Sequence, residues 1–169
     1  MRRIKKYNSE TNLQAQIADY IRLQYPNVLF HSDFGSGVKL TIGQAKIQKR
    51  QNGGRRAWPD MFIAEPRMNF IPPEGIMNCS TWVYGLFLEL KKEGTKLKRE
   101  KDCKKPLKIV QGRRSFYENK IRKAGDWWDL HIEEQAEMLK KLRERGYKAE
   151  FAVGFEEAKQ IIDEYLDSI

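Results

Sequence analysis

Two short apolar runs, each set against a carboxylate, limit how this chain can fold. The first is Trp58-Pro59-Asp60-Met61-Phe62-Ile63-Ala64 and the second Leu86-Phe87-Leu88-Glu89-Leu90-Lys91-Lys92. Both have the length of a strand, and Phe87-Leu88 is too apolar to lie outside an interior. Glu89 therefore falls at the end of a central strand. Alternation places Glu89 and Lys91 on one side and Leu88 and Leu90 on the other, so a polar site and the core take separate faces. Carboxylates in such surroundings lose hydration and repel each other unless a cation lies between them. The pair either binds a hard metal ion or is two unrelated surface charges.

Length and composition narrow the class. The 169 residues suit one domain over 1–169, long enough for a real core and too short for two. No apolar run reaches the ~18 residues of a membrane helix, and Met1-Arg2-Arg3-Ile4-Lys5-Lys6 lacks the apolar block of a signal peptide. A soluble, cytoplasmic protein without a membrane partner is expected. Cys79 and Cys103 have no further Cys or closely spaced His to complete a zinc site, and both read as plain residues.

Charge is more informative. Lys and Arg number 32 against 23 Asp and Glu, a net of +9. Lys91 to Lys123 holds 14 basic and 4 acidic residues, a net of +10, whereas Asp126 to the end holds 6 basic and 12 acidic, a net of −6. A basic block beside a candidate metal site is the footprint of a polyanion binder, since each cation that neutralises a phosphate releases a counterion. The plainer alternative is a solvated loop with no partner.

Along the chain, a helix is expected from about Ser9 to Gln24, capped by Asn8 or Ser9 and ended by Pro26, with Leu13, Ile17, Tyr20 and Ile21 on its buried face. Glu10 projects from that stripe, where an acid is either favoured by the helix dipole or reaches the edge of an internal site. Asn27 to His31 reads as a short strand and Asp33-Phe34-Gly35-Ser36-Gly37 as a turn. Thr41 and Gln44 make a capping-box pattern opening a short helix, which Gln51-Asn52-Gly53-Gly54 breaks. Arg55-Arg56 follow at once. Glycine lets the backbone approach a phosphate and arginine can grip it bidentately, so this segment either holds nucleic acid beside Asp60 or is a turn with two exposed arginines.

Met61 to Ala64 reads as a strand closed by Glu65-Pro66-Arg67, and Thr81 to Leu90 as one long strand, with a loop from Asn69 to Ser80 inserted between the pair. Insertions are thus expected at about 66–80 and at the basic segment, about 92–129. Within the latter, Ser115 to Ala124 is expected to form one short helix and Trp127-Trp128 to anchor the segment on the fold. His131 to Arg145 regains helical spacing through Ile132, Ala136, Leu139 and Leu142, with Gly146 as its stop, and His131, Gln135 and Met138 share an adjoining stripe. Tyr147 to Val153 is a further strand, and Phe155 to Leu166 a closing amphipathic helix that buries Ala158, Ile161, Ile162 and Tyr165.

Taken in order, Glu10 on an opening helix, Gly54 leading to Pro59-Asp60, then Glu89-Leu90-Lys91, then His131 to Gln135 on a helix followed by Leu142 and Gly146, resemble the VRR-NUC family of the PD-(D/E)xK nuclease superfamily, in the compact form common in phages. The resemblance spans nearly the whole chain except Lys96 to Trp128. It implies an α/β fold with a restriction-endonuclease-like core, a central mixed β-sheet flanked by α-helices, and Mg2+-dependent endonucleolytic hydrolysis of DNA, with Mn2+ able to substitute. Carried over by position, Asp60 and Glu89 would hold the Mg2+, the backbone carbonyl of Leu90 would be a third ligand, and Glu10 would complete the carboxylate cluster or hold a second metal through water. Lys91 would orient the attacking water and offset charge on the phosphate. Gln135 matches the glutamine near the scissile phosphate, and His131 is a looser match. Arg55, Arg56, Lys92, Lys96 and His131 are the candidate DNA contacts.

Those residue types suit the chemistry. Mg2+ prefers oxygen ligands and keeps several waters, so two carboxylates are enough to seat it. The resemblance further implies branched or flapped DNA as substrate, in the cytoplasm of a bacterium or a phage-infected host. One site cuts one strand, so symmetric cleavage calls for a homodimer or two visits. A different class of reading is a catalytically silent DNA-binding module on the same fold. A third is an interaction protein with no nucleic-acid partner.

Overall fold

The computed structural model describes residues 10–32, 41–51, 53, 57–70, 80–111 and 114–167. In chain order the elements are α1 (Glu10–Gln24), β1 (Phe30–Ser32), α2 (Ile42–Gln51), β2 (Met61–Ile63), β3 (Arg67–Phe70), β4 (Ser80–Val83), β5 (Leu86–Lys91), β6 (Lys108–Gln111), β7 (Arg114–Tyr117), α3 (Leu130–Arg143), β8 (Lys148–Val153) and α4 (Phe155–Leu166).

A mixed sheet in the order β1-β2-β5-β8 forms the centre. β1 runs antiparallel to β2 and β2 antiparallel to β5, with Met61 opposite Leu88, while β5 and β8 are parallel from Leu86 opposite Lys148 to Lys91 opposite Val153. Parallel strands need a crossover, and α3 lies in the one between β5 and β8. The alternation of β5 sorts the two sheet faces. Leu86, Leu88 and Leu90 are fully buried in a core shared with Leu13, Ile17 and Ile21 of α1 and Ala158, Ile161 and Ile162 of α4. Phe87 looks the other way, where Met138, Leu139 and Leu142 of α3 pack with Ala57 and Ala149. Glu89 and Lys91 share the Phe87 side, so the polar site lies under α3 and the larger core under α1 and α4.

A polar clamp joins α1 to α4. The hydroxyls of Tyr20 and Tyr25 donate to Asp163 at 2.5 and 2.9 Å. Burial disfavours ionised Asp163, but bonds from Tyr20, Tyr25 and Lys159 outweigh it and hold the carboxyl below its ordinary value. Burial, then Asp163, push the Tyr20 hydroxyl up to about 12. Among the described residues no helix is long and apolar enough to cross a membrane.

Several expected elements differ. The run from Thr81 to Leu90 is two strands, because the chain bends at Tyr84-Gly85. There Gly85 passes so close to β2 that a Cβ would lie 2.7 Å from the carbonyl oxygen of Ile63 and 2.5 Å from the Phe62 ring. β4 therefore leaves the central sheet and pairs with β3, so Arg67 to Phe70, expected as strand end and loop, is a strand. Ser115 to Ala124 is not a helix. Ile109 pairs with Phe116 and Val110 with Ser115 in a β6–β7 hairpin, and β-branched and aromatic residues on alternating faces favour that pairing over one helical turn. β1 begins at Phe30 rather than Asn27, after the helix-ending turn at Pro26. The capping box holds, with the backbone N–H of Gln44 donating to Thr41 Oγ1 at 3.3 Å and that of Thr41 to Gln44 Oε1 at 2.9 Å. The proposed caps at Asn8 and Ser9, the turn at 33–37 and Cys79 lie outside the described residues, and Cys103 is a free thiol.

Candidate active site

Asp60 precedes β2 and Glu89 lies on β5, the strand beside it, one position beyond the Met61–Leu88 pair. The Asp60 carboxylate is oriented from two sides: Gln14 Nε2 of α1 donates to Oδ1 at 3.0 Å and the backbone N–H of Leu90 donates to Oδ2 at 2.8 Å. The N–H and carbonyl of one strand residue point to the same side, so the Leu90 carbonyl also faces the Asp60 side, beyond the start of β2. The next carbonyl, that of Lys91, turns to the opposite neighbour and accepts from the Gly154 N–H at 2.8 Å.

Glu89 is the hub. It is 2% exposed, and its Oε1 accepts from Lys91 Nζ at 2.7 Å and from Gln135 Nε2 of α3. Lys91 and Gln135 are themselves 6% and 5% exposed. The other end of the Gln135 amide, Oε1, is buried and has no hydrogen-bond partner among the described residues. A buried acceptor without a donor costs stability, so it marks a place where a donor or a cation is expected to arrive.

Oxygen atoms of Asp60, Glu89 and the Leu90 backbone are the type that a hard divalent cation takes, and the orphaned Gln135 Oε1 beside them suits the donated hydrogens of such an ion's waters. Among the described residues no cluster of three or more metal-ligating side chains is present. Two carboxylates are nevertheless the usual protein share for Mg2+, which retains most of its waters.

The structure thus gathers Asp60, Glu89, Lys91 and Gln135, with the Leu90 backbone between the two acids. Glu10 is the first residue of α1, four before Gln14; its side chain lies outside the described residues, as do Arg55 and Arg56. His131 is exposed one helical turn before Gln135, and Lys92 is exposed just past β5. Lys96, a candidate DNA contact, spends its charge locally on Glu100 at 2.7 Å. Gln14 was not singled out by sequence. Its signal was present, since Gln14, Ile17 and Ile21 share the inward stripe of α1 and a glutamine on that stripe needs a buried partner.

The basic segment carries a second polar centre that charge counting conceals. Arg122 is fully buried and its guanidinium grips Glu118 through Nε at 2.7 Å and Nη2 at 2.9 Å, reaches Glu133 of α3 at 2.9 Å and donates to the Trp127 carbonyl at 2.9 Å. Burial opposes its charge, but Glu118 and Glu133 more than offset this and raise its pKa. The tryptophan anchor is realised as expected. Trp127 packs against Phe151 of β8 at 5.7 Å, with Lys98 over its ring at 3.3 Å, and Arg99 lies 4.1 Å from the ring of Trp128. The segment between β5 and α3 is therefore pinned to the fold on the face that carries Glu89.

No family model matches the sequence, and no curated protein matches it. A comparison of folds finds a solved structure described as a "VRR_NUC domain protein", with a TM-score of 0.53 and 15% identity over 95% of this chain and 90% of that one. At this identity the likeness is one of fold, and it bears out the architecture implied by the ordered acids: a restriction-endonuclease-like α/β core shared with that VRR_NUC domain protein.

Proposed function

We propose that this protein is a Mg2+-dependent DNA endonuclease that hydrolyses phosphodiester bonds at the Asp60, Glu89, Lys91 and Gln135 site, with branched or flapped DNA as substrate. The observation that carries the reading is the buried triad of Glu89, Lys91 and Gln135 beside Asp60. Apolar residues of similar volume would commonly make such a core as stable or more so, which leaves a chemical task as the reason for the charges. The solved structure of similar fold is described as a VRR_NUC domain protein, which supports a nuclease over other tasks for this fold.

In this reading Asp60, Glu89 and the Leu90 carbonyl hold a divalent cation, with Glu10 at the rim. When bound, the ion supplies positive charge for the phosphate oxygens and acidity for the attacking water. Gln14 and the Leu90 N–H fix the Asp60 carboxylate in place, so no reorganisation is needed when substrate arrives. Glu89 holds the Lys91 ammonium at 2.7 Å on the sheet face that the two residues share. Lys91 then orients the water and donates to the charge that grows on the phosphate. Gln135 sets the Glu89 carboxylate from the helix side and presents its Oε1 to the water.

Purified protein incubated with plasmid and with branched DNA, with and without Mg2+ or Mn2+, tests this. Lys91→Ala is expected to lower cleavage about 10²- to 10³-fold, the usual loss of one electrostatic donor. Equal cleavage by the parent and Lys91→Ala would identify a contaminant and sink the assignment. Salt-dependent DNA binding that survives Asp60→Asn, without cleavage under any metal, would establish the silent binding module instead.

A further inference from the structure

A pocket of about 310 Å3 opens directly beside Asp60, walled by Trp58, Pro59, Phe62 and Phe87 with His31 and Gln51 among its lining residues. Its aromatic rings are arranged as a platform: Phe62 stacks on Phe87 at 4.4 Å and 24°, and Trp58 meets Phe87 at 6.4 Å and 48° while remaining 39% exposed. Its described walls are mainly aromatic, with the acid Asp60 at one side. It suits a flat group with an apolar face and a polar edge, since aromatic walls stack on the face while His31 and Gln51 can meet the edge.

We propose that this pocket receives one unstacked nucleobase of the DNA strand whose phosphate lies at Asp60. The proposal rests on the nuclease reading for the place of the phosphate, and it specifies the substrate class further. A base inside a duplex is stacked on its neighbours and paired, and extruding it costs free energy that an already unpaired base does not incur. The pocket therefore selects DNA in which the nucleotide next to the cleaved bond is unpaired, as in a flap, a junction or a single strand. Because every base has a π face, the stacking is tolerant of sequence.

The test separates base from backbone. Affinity is measured for a short single-stranded oligonucleotide and for the same length of abasic sugar-phosphate, with Ca2+ in place of Mg2+, for the parent, Trp58→Ala and Trp58→Phe. The parent is expected to bind the base-bearing strand about ten-fold more tightly than the abasic one, Trp58→Ala to bind both equally, and Trp58→Phe to keep most of the preference. A base preference unchanged in Trp58→Ala, or no preference in the parent, overturns the proposal. Cleavage assayed in parallel keeps the two readings apart: base preference lost on Trp58→Ala without any metal-dependent cleavage overturns the nuclease and upholds the pocket. Cleavage that depends on Lys91, together with affinity indifferent to Trp58, does the reverse.

Discussion

Arg122→Met should destabilise the protein strongly, because it strands a carboxylate that is almost wholly shielded from water. Arg122 is 0% exposed, and the Glu118 side chain is 4% exposed with both its oxygens on the guanidinium. Removing one member of a buried pair leaves the other uncompensated, at a cost of about 3–5 kcal/mol. Glu133 suffers less, for Lys120 still reaches it at 2.6 Å and its side chain is 27% exposed. For a chain of this length each kcal/mol lowers the melting temperature by about 2–4 °C, so the drop should be roughly 6–20 °C. Replacing both partners, Glu118→Leu with Arg122→Met, removes the stranded charge and leaves mainly an unmet Trp127 carbonyl, at about 1–3 kcal/mol. The double variant should therefore be more stable than Arg122→Met alone. Urea unfolding of the parent and both variants measures this. A single variant within about 1 kcal/mol of the parent, or a double variant no better than the single, would refute the argument that ion pairing organises the segment.

Two further outcomes follow from the fold. The Asp163 carboxyl is held below the ordinary carboxylate range, so its contribution is fully present above that range and is lost as pH falls through the lower folded value. The stability gap between the parent and Asp163→Asn should accordingly be widest near neutral pH and close on acidification; a gap that widens on acidification would contradict the clamp. Gly85→Ala would set a methyl 2.7 Å from the Ile63 carbonyl oxygen. Overpacking of this kind costs about 1–3 kcal/mol, and since β2 must shift against β5 the change should also lower cleavage by separating Asp60 from Glu89; an unaltered melting curve would show that the close approach is not structural.

The legible parts of this chain are those where contrast is local. Glu89 and Lys91 stand out because charges interrupt Leu86-Phe87-Leu88, and strand alternation then gives their common face without knowledge of any neighbour. The helix of Ile132, Ala136, Leu139 and Leu142 and its stop at Gly146 are readable for the same reason, as period and terminator lie in one stretch. Gln14 and Asp60 are 46 residues apart, so their bond depends on how α1 docks under the sheet and no local pattern announces it. Glu118 and Arg122 mislead in a more specific way. Their spacing of four is helical, but the pair closes around a turn after β7 because Glu133 and the Trp127 carbonyl complete the guanidinium's bonds from elsewhere. A nonlocal network thus holds part of a stretch expected as one short helix.

The same network changes what the basic block means. A net of +10 between Lys91 and Lys123 reads as a uniform attraction for phosphate, but the structure divides it by task. Arg122 neutralises Glu118 inside the protein, Lys96 and Lys120 are paired with Glu100 and Glu133, and Lys98 and Arg99 lie on tryptophan rings. Lys92, Lys101, Lys104, Lys105, Lys108 and Lys123 are exposed, and Lys101, Lys104 and Lys105 line a groove of about 480 Å3 with Arg99 and Trp128. Since the salt dependence of DNA binding follows the number of phosphates neutralised, its slope should fall short of the whole block, with the buried Arg122 contributing nothing. Charge that holds the segment against α3 fixes where the remaining lysines stand relative to Glu89, so on the proposed nuclease reading the buried arginine would serve recognition by placing other residues rather than by touching DNA itself.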